Sequence, residues 1–507
     1  MTKRPTDMKA SSVLLTALAV VLAIGCGRKE SFPTLGTNVA SPVDIAVSDD
    51  GKYFYALNAD FERKYNAGSI LIMDGDGNKL KALEIPRMGR SVNVVGNVMI
   101  ATLDYSANAG NSQPHVYIYD LTDPVNPELK ADLVPDCSPV TSAMRKGYQY
   151  FAVTCANGSL FLGKLETDLS QSRMKKVRQF SRPYRALHFD AQRNLLIGFP
   201  DQPDKPSTGD AELADANSYN TIGTLTAATP NEIPDQYEQT RRAWSDLSAR
   251  QSYQFLVYDI AAEEKNAPLC TTSSINPSCD FPFRLSTDTV SQGELRWLYF
   301  RLSDYSRAPD ESTFFNNPSY KYYRTNFYAV RPDPEDSDVF YLSQRGAPAS
   351  SPNANQIIRV RITGELRPTY DEAKKAYTFL PTADEMQFER VYGFKGAQVS
   401  QYSYPGDFRV VMINNKKTVV VNNFRDLVNW VRGDANGSYW IGASLVDDPT
   451  WYAQLTGQLA PANDIRSYYQ VAVNNSGRGA SCSFYGNQII FFDVIPGSAI
   501  NITNQVR

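Results

Sequence analysis

Few residues in this 507-residue chain could carry chemistry on their own: it has six cysteines and two histidines. Nucleophilic catalysis by a Ser/His/Asp set would have to use His115 or His188, and no G-x-S-x-G occurs. His188 sits between Leu187 and Phe189 in an apolar run and reads as structural, while His115 opens another such run. No pair of cysteines forms C-x-x-C, so a thiolate–imidazole metal site is not expected. Asp74-Gly75-Asp76-Gly77-Asn78 alternates oxygen ligands as a calcium loop does. The EF-hand spacing, however, requires Gly at 79 and Glu at 85, where the chain has Lys79 and Ile85, so the stretch reads as a turn. Polar residues recur after apolar runs, at Asn58, Asp60, Asp104, Asn157, Asp201, Asn422, Asn423, Asn474 and Asn475. They either start turns by bonding their own backbone or ring a polar mouth. The residues give no catalytic set, no metal site and no cofactor.

The remaining chemistry belongs to the cysteines. Cys26 ends an apolar run, Val13 to Ile24, that follows Lys3, Arg4 and Lys9. That arrangement has the form of a targeting segment, and residues 1–25 are set aside from fold reasoning. No later stretch reaches the length of about 18 apolar residues that a membrane-spanning helix needs. An exported chain meets an oxidising compartment, where thiols pair. Cys270 and Cys279 bracket a short proline-containing loop, and Cys137 and Cys155 lie before and within one expected hairpin. Both pairs are candidate disulfides, which leaves Cys482 alone. A formal net charge of −3 and a pI near 5.7 provide no basic field, which argues against nucleic acid as a partner.

The elements that must position these residues are short strands. Asp44–Ser48 and Tyr53–Leu57 flank the tight turn Asp49-Asp50-Gly51. Ser69–Asp74 and Lys81–Ile85 complete a four-strand unit of about 45 residues, the size of one β-propeller blade. The first hairpin recurs from Val92, Val140 and Ala186 at nearly even steps, and then from Asn326 and Phe408. Third-strand runs follow at Val116–Asp120, Ser159–Leu165, Gln254–Asp259, Ile357–Ile362 and Ser438–Leu445. A last unit shows Tyr468–Val473 and Gln488–Val494, with its first strand hard to place. The expected fold is all-β, a propeller of about seven blades with six as the alternative.

Three stretches carry a resemblance. Ser41–Asn58 resembles the bacterial YVTN-type propeller repeat, with Tyr55 and Asn58 matching the ends of its name-giving tetrapeptide. Tyr117–Pro127 is similar to the LVIVD-type repeat. Leu22-Ala23-Ile24-Gly25-Cys26 resembles a lipobox, with Ala23 departing from the usual Leu. The lipobox resemblance implies cleavage before Cys26, acylation (palmitate among the chains) and a lipid-anchored linker over 26–40. Gly27, in place of the Asp that favours inner-membrane retention, implies the outer membrane. Residues 41–507 then form the propeller. The repeat resemblance implies fold rather than activity. Lactonase-type propellers bind a metal with Glu, Asp and Asn, so a metal-dependent hydrolase is the alternative function.

Two insertions interrupt the repeat, at about 201–250 and 261–325. In the first, Tyr237, Trp244 and Leu247 share one face of a helical pattern opened by Pro234. The second contains Arg296-Trp297-Leu298-Tyr299-Phe300-Arg301, which reads as buried strand or, through Arg296, Trp297 and Arg301, as a partner surface. The expected function is that of a membrane-anchored binding platform for another envelope protein or an extracellular ligand.

Overall fold

The computed structural model describes residues 32–104, 113–145, 147, 150–179, 184–200, 253–260, 295–298, 324–347, 356–364, 369–371, 376–378, 386–392, 403–425, 438–448, 451–455, 468–484 and 486–507. They form seven four-stranded antiparallel sheets and one small hairpin. Each sheet is one continuous stretch of chain, and six of the seven use four successive strands. Blade 1 is built from Pro42–Val47, Tyr53–Asn58, Gly68–Asp74 and Lys79–Ile85. Blade 2 follows with Gly89–Val95, Val98–Leu103, His115–Asp120 and Glu128–Leu133. Blade 3 comprises Pro139–Met144, Tyr150–Cys155, Ser159–Lys164 and Arg173–Gln179. Blade 4 comprises Tyr184–Asp190, Leu195–Pro200, Tyr253–Asp259 and Leu295–Leu298. Blade 5 has Arg324–Pro332, Val339–Ala347, Gln356–Ile362 and Met386–Tyr392, with the small hairpin Thr369–Asp371 and Ala376–Thr378 between its last two strands. Blade 6 runs through Ser403–Ile413, Lys416–Arg425, Ser438–Leu445 and Tyr452–Leu455. Blade 7 has Tyr468–Val473, Arg478–Ser483, Gln488–Ile495 and Ala499–Val506.

The first strand of every blade packs against the first strands of its two neighbours, and blade 7 meets blade 1, so the ring closes as a β-propeller. Its apolar core is divided among the seven junctions between blades. Period-two alternation explains how one strand serves two junctions. In Tyr53–Asn58, Phe54 and Ala56 point to blade 7 while Tyr55 and Leu57 point to blade 2. Leu71 and Met73 of the next strand join the first set, and Ile70 and Ile72 the second. Strands covered on both faces therefore read as unbroken apolar runs. Each fully buried side chain of this kind contributes roughly 1.5–3 kcal/mol relative to exposure. Outer strands such as Lys79–Ile85 bury far less and carry charge.

Closure between blades 1 and 7 involves no exchange of strands; side chains make the join. Phe54 and Phe491 meet edge to face with ring centroids 5.3 Å apart. The Ser41 backbone N–H donates to Asn487 Oδ1 at 2.6 Å, and Asn474 Nδ2 donates to the Gly51 carbonyl at 2.7 Å. Gly51 has φ +73°, and a Cβ there would lie 2.8 Å from the Asn474 Cβ, so both the turn and the junction require glycine. Arg478 Nη1 reaches the Gly75 carbonyl at 2.7 Å and Asp76 Oδ1 at 2.9 Å.

Several expectations need correcting or lie outside the described residues. The segment 261–325 is not wholly an insertion: Leu295–Leu298 is the outermost strand of blade 4, and Arg324–Pro332 begins blade 5. In the last unit the strand missed from sequence was the second, Arg478–Ser483, whose Gly, Ala, Ser and Cys lack β-branched and aromatic signal. Cys137 and Cys155 form a disulfide with Cα atoms 5.8 Å apart, and Cys482 is a buried free thiol. Residues 1–31 with Cys26, the helical pattern in 201–250 with Tyr237, Trp244 and Leu247, the pair Cys270 and Cys279, and Arg301 all lie outside the described residues.

Candidate functional site: the central channel

Seven first strands set around an axis leave a channel between them. Its cavity, about 430 Å³, is lined from every blade: by Asp44, Ser91, Thr141, Leu187, Arg331, Arg409 and Gln470, among others. In blades 1 to 4 the lining residues lie toward the start of the first strand, in the longer first strands of blades 5 and 6 they lie farther along it, and others come from the loops after second strands, such as Phe61 and Phe484. One end of the channel therefore opens on the face where second strands hand over to third strands and where each blade hands over to the next. The longest of these connections join strands at this same face: 201–252 within blade 4, 299–323 between blades 4 and 5, 426–437 within blade 6, and 456–467 between blades 6 and 7.

The charges in the wall come from residues that interrupt apolar strands. Asp44 lies at a register irregularity of the first strand of blade 1, and Asp407 at one in blade 6. Such a bulge turns a side chain out of the ordinary alternation, and both carboxylates reach across to the next blade. Asp44 Oδ2 accepts the Val92 N–H at 2.7 Å, while Oδ1 accepts the Ile45 N–H at 2.9 Å. Asp407 Oδ2 accepts the Val471 N–H at 3.0 Å. Asp407 is also clasped by two guanidinium groups. Arg331 pairs with it through Nη2, and Arg409 Nη1 lies 2.8 Å from both of its oxygens. Arg331 further donates from Nε to the Phe408 carbonyl at 3.0 Å. Ser91 and Ser142 hydroxyls, 2.9 Å apart, tie blades 2 and 3 in the same way.

Burial dominates the electrostatics. It pushes the Asp44 carboxyl up to about 7, with the Asp407 charge adding and the Val92 N–H and Arg409 opposing. It likewise holds Arg331 below its ordinary value, with Arg409 adding to that effect. Cys482, on the second strand of blade 7, is pushed well up by burial and by the charges of Asp44 and Asp407. A thiol so held is a poor nucleophile.

The residues singled out from sequence do not themselves line the channel, although Asp60 sits between the lining residues Ala59 and Phe61 and Asp104 pairs with the lining residue Arg90. Asp74 accepts the Asp76 and Asn78 N–H groups at 2.9 and 2.8 Å, which makes an ordinary Asx turn. Asn58 is buried and bonds Ser69 Oγ at 3.0 Å; Asp60 pairs with Arg87 and Asp104 with Arg90. Asn157 accepts the Ser159 N–H at 3.0 Å, a local turn contact. Asn474 follows a first strand, not a second, so it sits at the opposite face of the ring. The polar series is thus mainly structural, and Asp201 lies outside the described residues. Arg296 and Trp297 pair through their backbones with Phe255 and Gln254 in the outermost strand of blade 4. His188 is buried and stacked on Phe340, and His115 bonds Asp132 at 2.8 Å on the outer part of blade 2. Among the described residues no three His, Cys, Asp or Glu side chains converge as a metal site. The channel groups Asp44, Arg331, Asp407 and Arg409 were missed; the signal for them was a charge embedded in the first run of a repeat.

No protein-family model matches the sequence, and no curated protein sequence does. Solved structures similar to this chain include hydrazine synthase of Kuenenia stuttgartiensis, 11% identical over 92% of this chain and 99% of that one, with a TM-score of 0.45. The β-propeller domain of Cps50 (Swd1) from Myceliophteria thermophila is 8% identical over 91% and 99%, with a TM-score of 0.46. Hsv2 of Kluyveromyces lactis is 8% identical over 92% and 98%, with a TM-score of 0.43. At these scores the fold rests on the sheets and junctions of the chain itself.

Proposed function

We propose that this protein is a cell-envelope lipoprotein, anchored through Cys26, whose propeller is a rigid binding platform for another envelope protein or an extracellular ligand. The observation that carries the reading is the coincidence, on one face, of the channel mouth and the strand ends joined by the longest single connection, 201–252 of blade 4. Loops on a rigid frame are where binding function accumulates, because they vary without disturbing the sheets. The anchor rests on the Gly25-Cys26 junction after the apolar run, and its place in the outer membrane on Gly27. In the channel, the oxygens of Asp44 and Asp407 already accept backbone N–H groups or arginines, which favours binding over metal-assisted hydrolysis.

Crosslinking and pull-down from intact envelopes test this. The wild-type chain should capture a partner, and replacing 203–249 with a short Gly/Ser linker should leave a folded, β-rich protein that captures it less. Undiminished capture by the folded deletion would move the binding surface elsewhere. Cys26→Ser should release the protein from membranes or leave its precursor uncleaved; fractionation and migration like wild type would remove the anchor.

A further inference from the structure

The polar groups of the channel wall are unevenly satisfied. Arg331 uses all three guanidinium nitrogens, on Asp407, the Phe408 carbonyl and the Val330 carbonyl. Arg409 does not. Its Nη1 alone serves Asp407 and the Phe408 carbonyl, each at 2.8 Å. The Nε–Nη2 edge of Arg409 makes no hydrogen bond among the described residues, although the residue lines the cavity. The side chains of Thr141 and Gln470 line the same cavity and likewise have no hydrogen-bond partner among the described residues. Around them the wall is mixed, with Val43, Val92, Val140 and Leu187 set among polar residues such as Arg90, Ser91, Asn93 and Ser142. A cavity of about 430 Å³ is the size that small-molecule sites have.

A free guanidinium edge offers two parallel N–H groups, the geometry that a carboxylate accepts bidentately. The local charge favours an anion once Asp44 is protonated, because two arginines then face one charged carboxylate, Asp407. We propose that the channel is a binding site for a small carboxylate with an apolar body, its charged end on the Nε–Nη2 edge of Arg409 and its body along the valine wall. The site goes beyond the partner-binding face argued above and stands or falls separately from it.

The charged and titratable groups around Asp44 are Asp407 and Arg409 in blade 6, Arg331 in blade 5 and Cys482 in blade 7. As the Asp44 carboxyl takes up its proton near pH 7, one negative charge leaves the wall. Binding of a carboxylate should therefore tighten as pH falls through that point.

Titration calorimetry on the folded protein decides the proposal, with benzoate as the probe, benzamide as its neutral counterpart and inorganic phosphate as a charged probe without an apolar body. Benzoate should bind, more tightly below pH 7 than above it, while benzamide and phosphate should not. Arg409→Gln should weaken benzoate by about tenfold or more, the usual effect of losing a charge-assisted pair. Because that variant also disturbs Asp407, Val140→Phe serves as a second one, filling the channel while leaving every charge in place; it too should weaken benzoate by about tenfold or more. The proposal is overturned if wild type does not bind benzoate, if benzamide binds equally, if phosphate is preferred, or if folded Val140→Phe binds like wild type.

Discussion

Asp44 and Val92 join blades 1 and 2 at the channel wall, the carboxylate oxygen lying 2.7 Å from the backbone nitrogen. The same relationship links Asp407 to Val471 between blades 6 and 7. A buried acceptor from one blade thus satisfies a backbone donor of the next, which would otherwise face an apolar junction without a partner.

This makes Asp44 a source of pH-dependent stability. Its folded value of about 7 lies above the ordinary 3.8, so its contribution is full below pH 3.8 and is lost as pH rises through about 7. The amplitude is on the order of 4 kcal/mol. Asp44→Asn removes that dependence and sets an amide against one backbone N–H, a pH-independent cost of about 1–3 kcal/mol. Urea unfolding across pH should show wild type ahead of the variant in acid, with the gap narrowing toward neutrality. A constant gap would contradict the account.

His188 should act with the opposite sign. Burial lowers it from 6.5 to about 4, and its Nε2 has no hydrogen-bond partner among the described residues. Stability from the neutral ring is full above pH 6.5 and is lost as pH falls through about 4, by roughly 3 kcal/mol. His188→Phe keeps a ring against Phe340 and should be more resistant than wild type to acid in that window. Equal acid sensitivity would place the effect in other groups.

The join between blades 1 and 7 depends on Phe491, fully buried against Phe54. Phe491→Ala should cost about 3–5 kcal/mol. Hydrogen exchange should locate the loss, with amides of blades 1 and 7 exposed first. Uniform loss across the ring would argue that the junction is no weaker than the others.

Breaking Cys137–Cys155 by the double alanine variant should cost about 3 kcal/mol in the chain-entropy model for a loop of this length. Thermal melting measures it. Cys482 should resist aqueous thiol reagents in the native protein and react once it is unfolded, since burial both hides it and disfavours its thiolate. Rapid native labelling would mean that the second strand of blade 7 opens locally.

The fold was legible where burial on both faces leaves a strong pattern. Phe54 to Leu57 and Ile70 to Met73 are apolar at every position because each strand feeds two junctions. Outer strands such as Arg173–Gln179 and Ala499–Val506 face solvent or loops on one side, so their composition is diluted and they went unplaced. The channel was not legible for a different reason. Asp44 is hundreds of residues from Arg331 and Asp407, which are themselves 76 apart, and the three have no mutual spacing; only closure of the ring makes them neighbours. His188 was read correctly as structural because its strand neighbours Leu187 and Phe189 fix it in a buried sheet.

Each blade is one uninterrupted stretch of chain, so the order of blades around the ring is also their order of synthesis. Blades 1 to 6 can each complete their sheet as they emerge, but the open flank of blade 1 (Phe54, Leu71 and Met73) has no cover until blade 7 arrives. Through most of its synthesis the chain is therefore an incomplete arc with two sticky ends. The two ends could instead dock onto arcs of other copies, a hazard typical of repeat proteins. The side chains at the final junction thus act as a latch whose speed sets the yield of single rings over mixed assemblies.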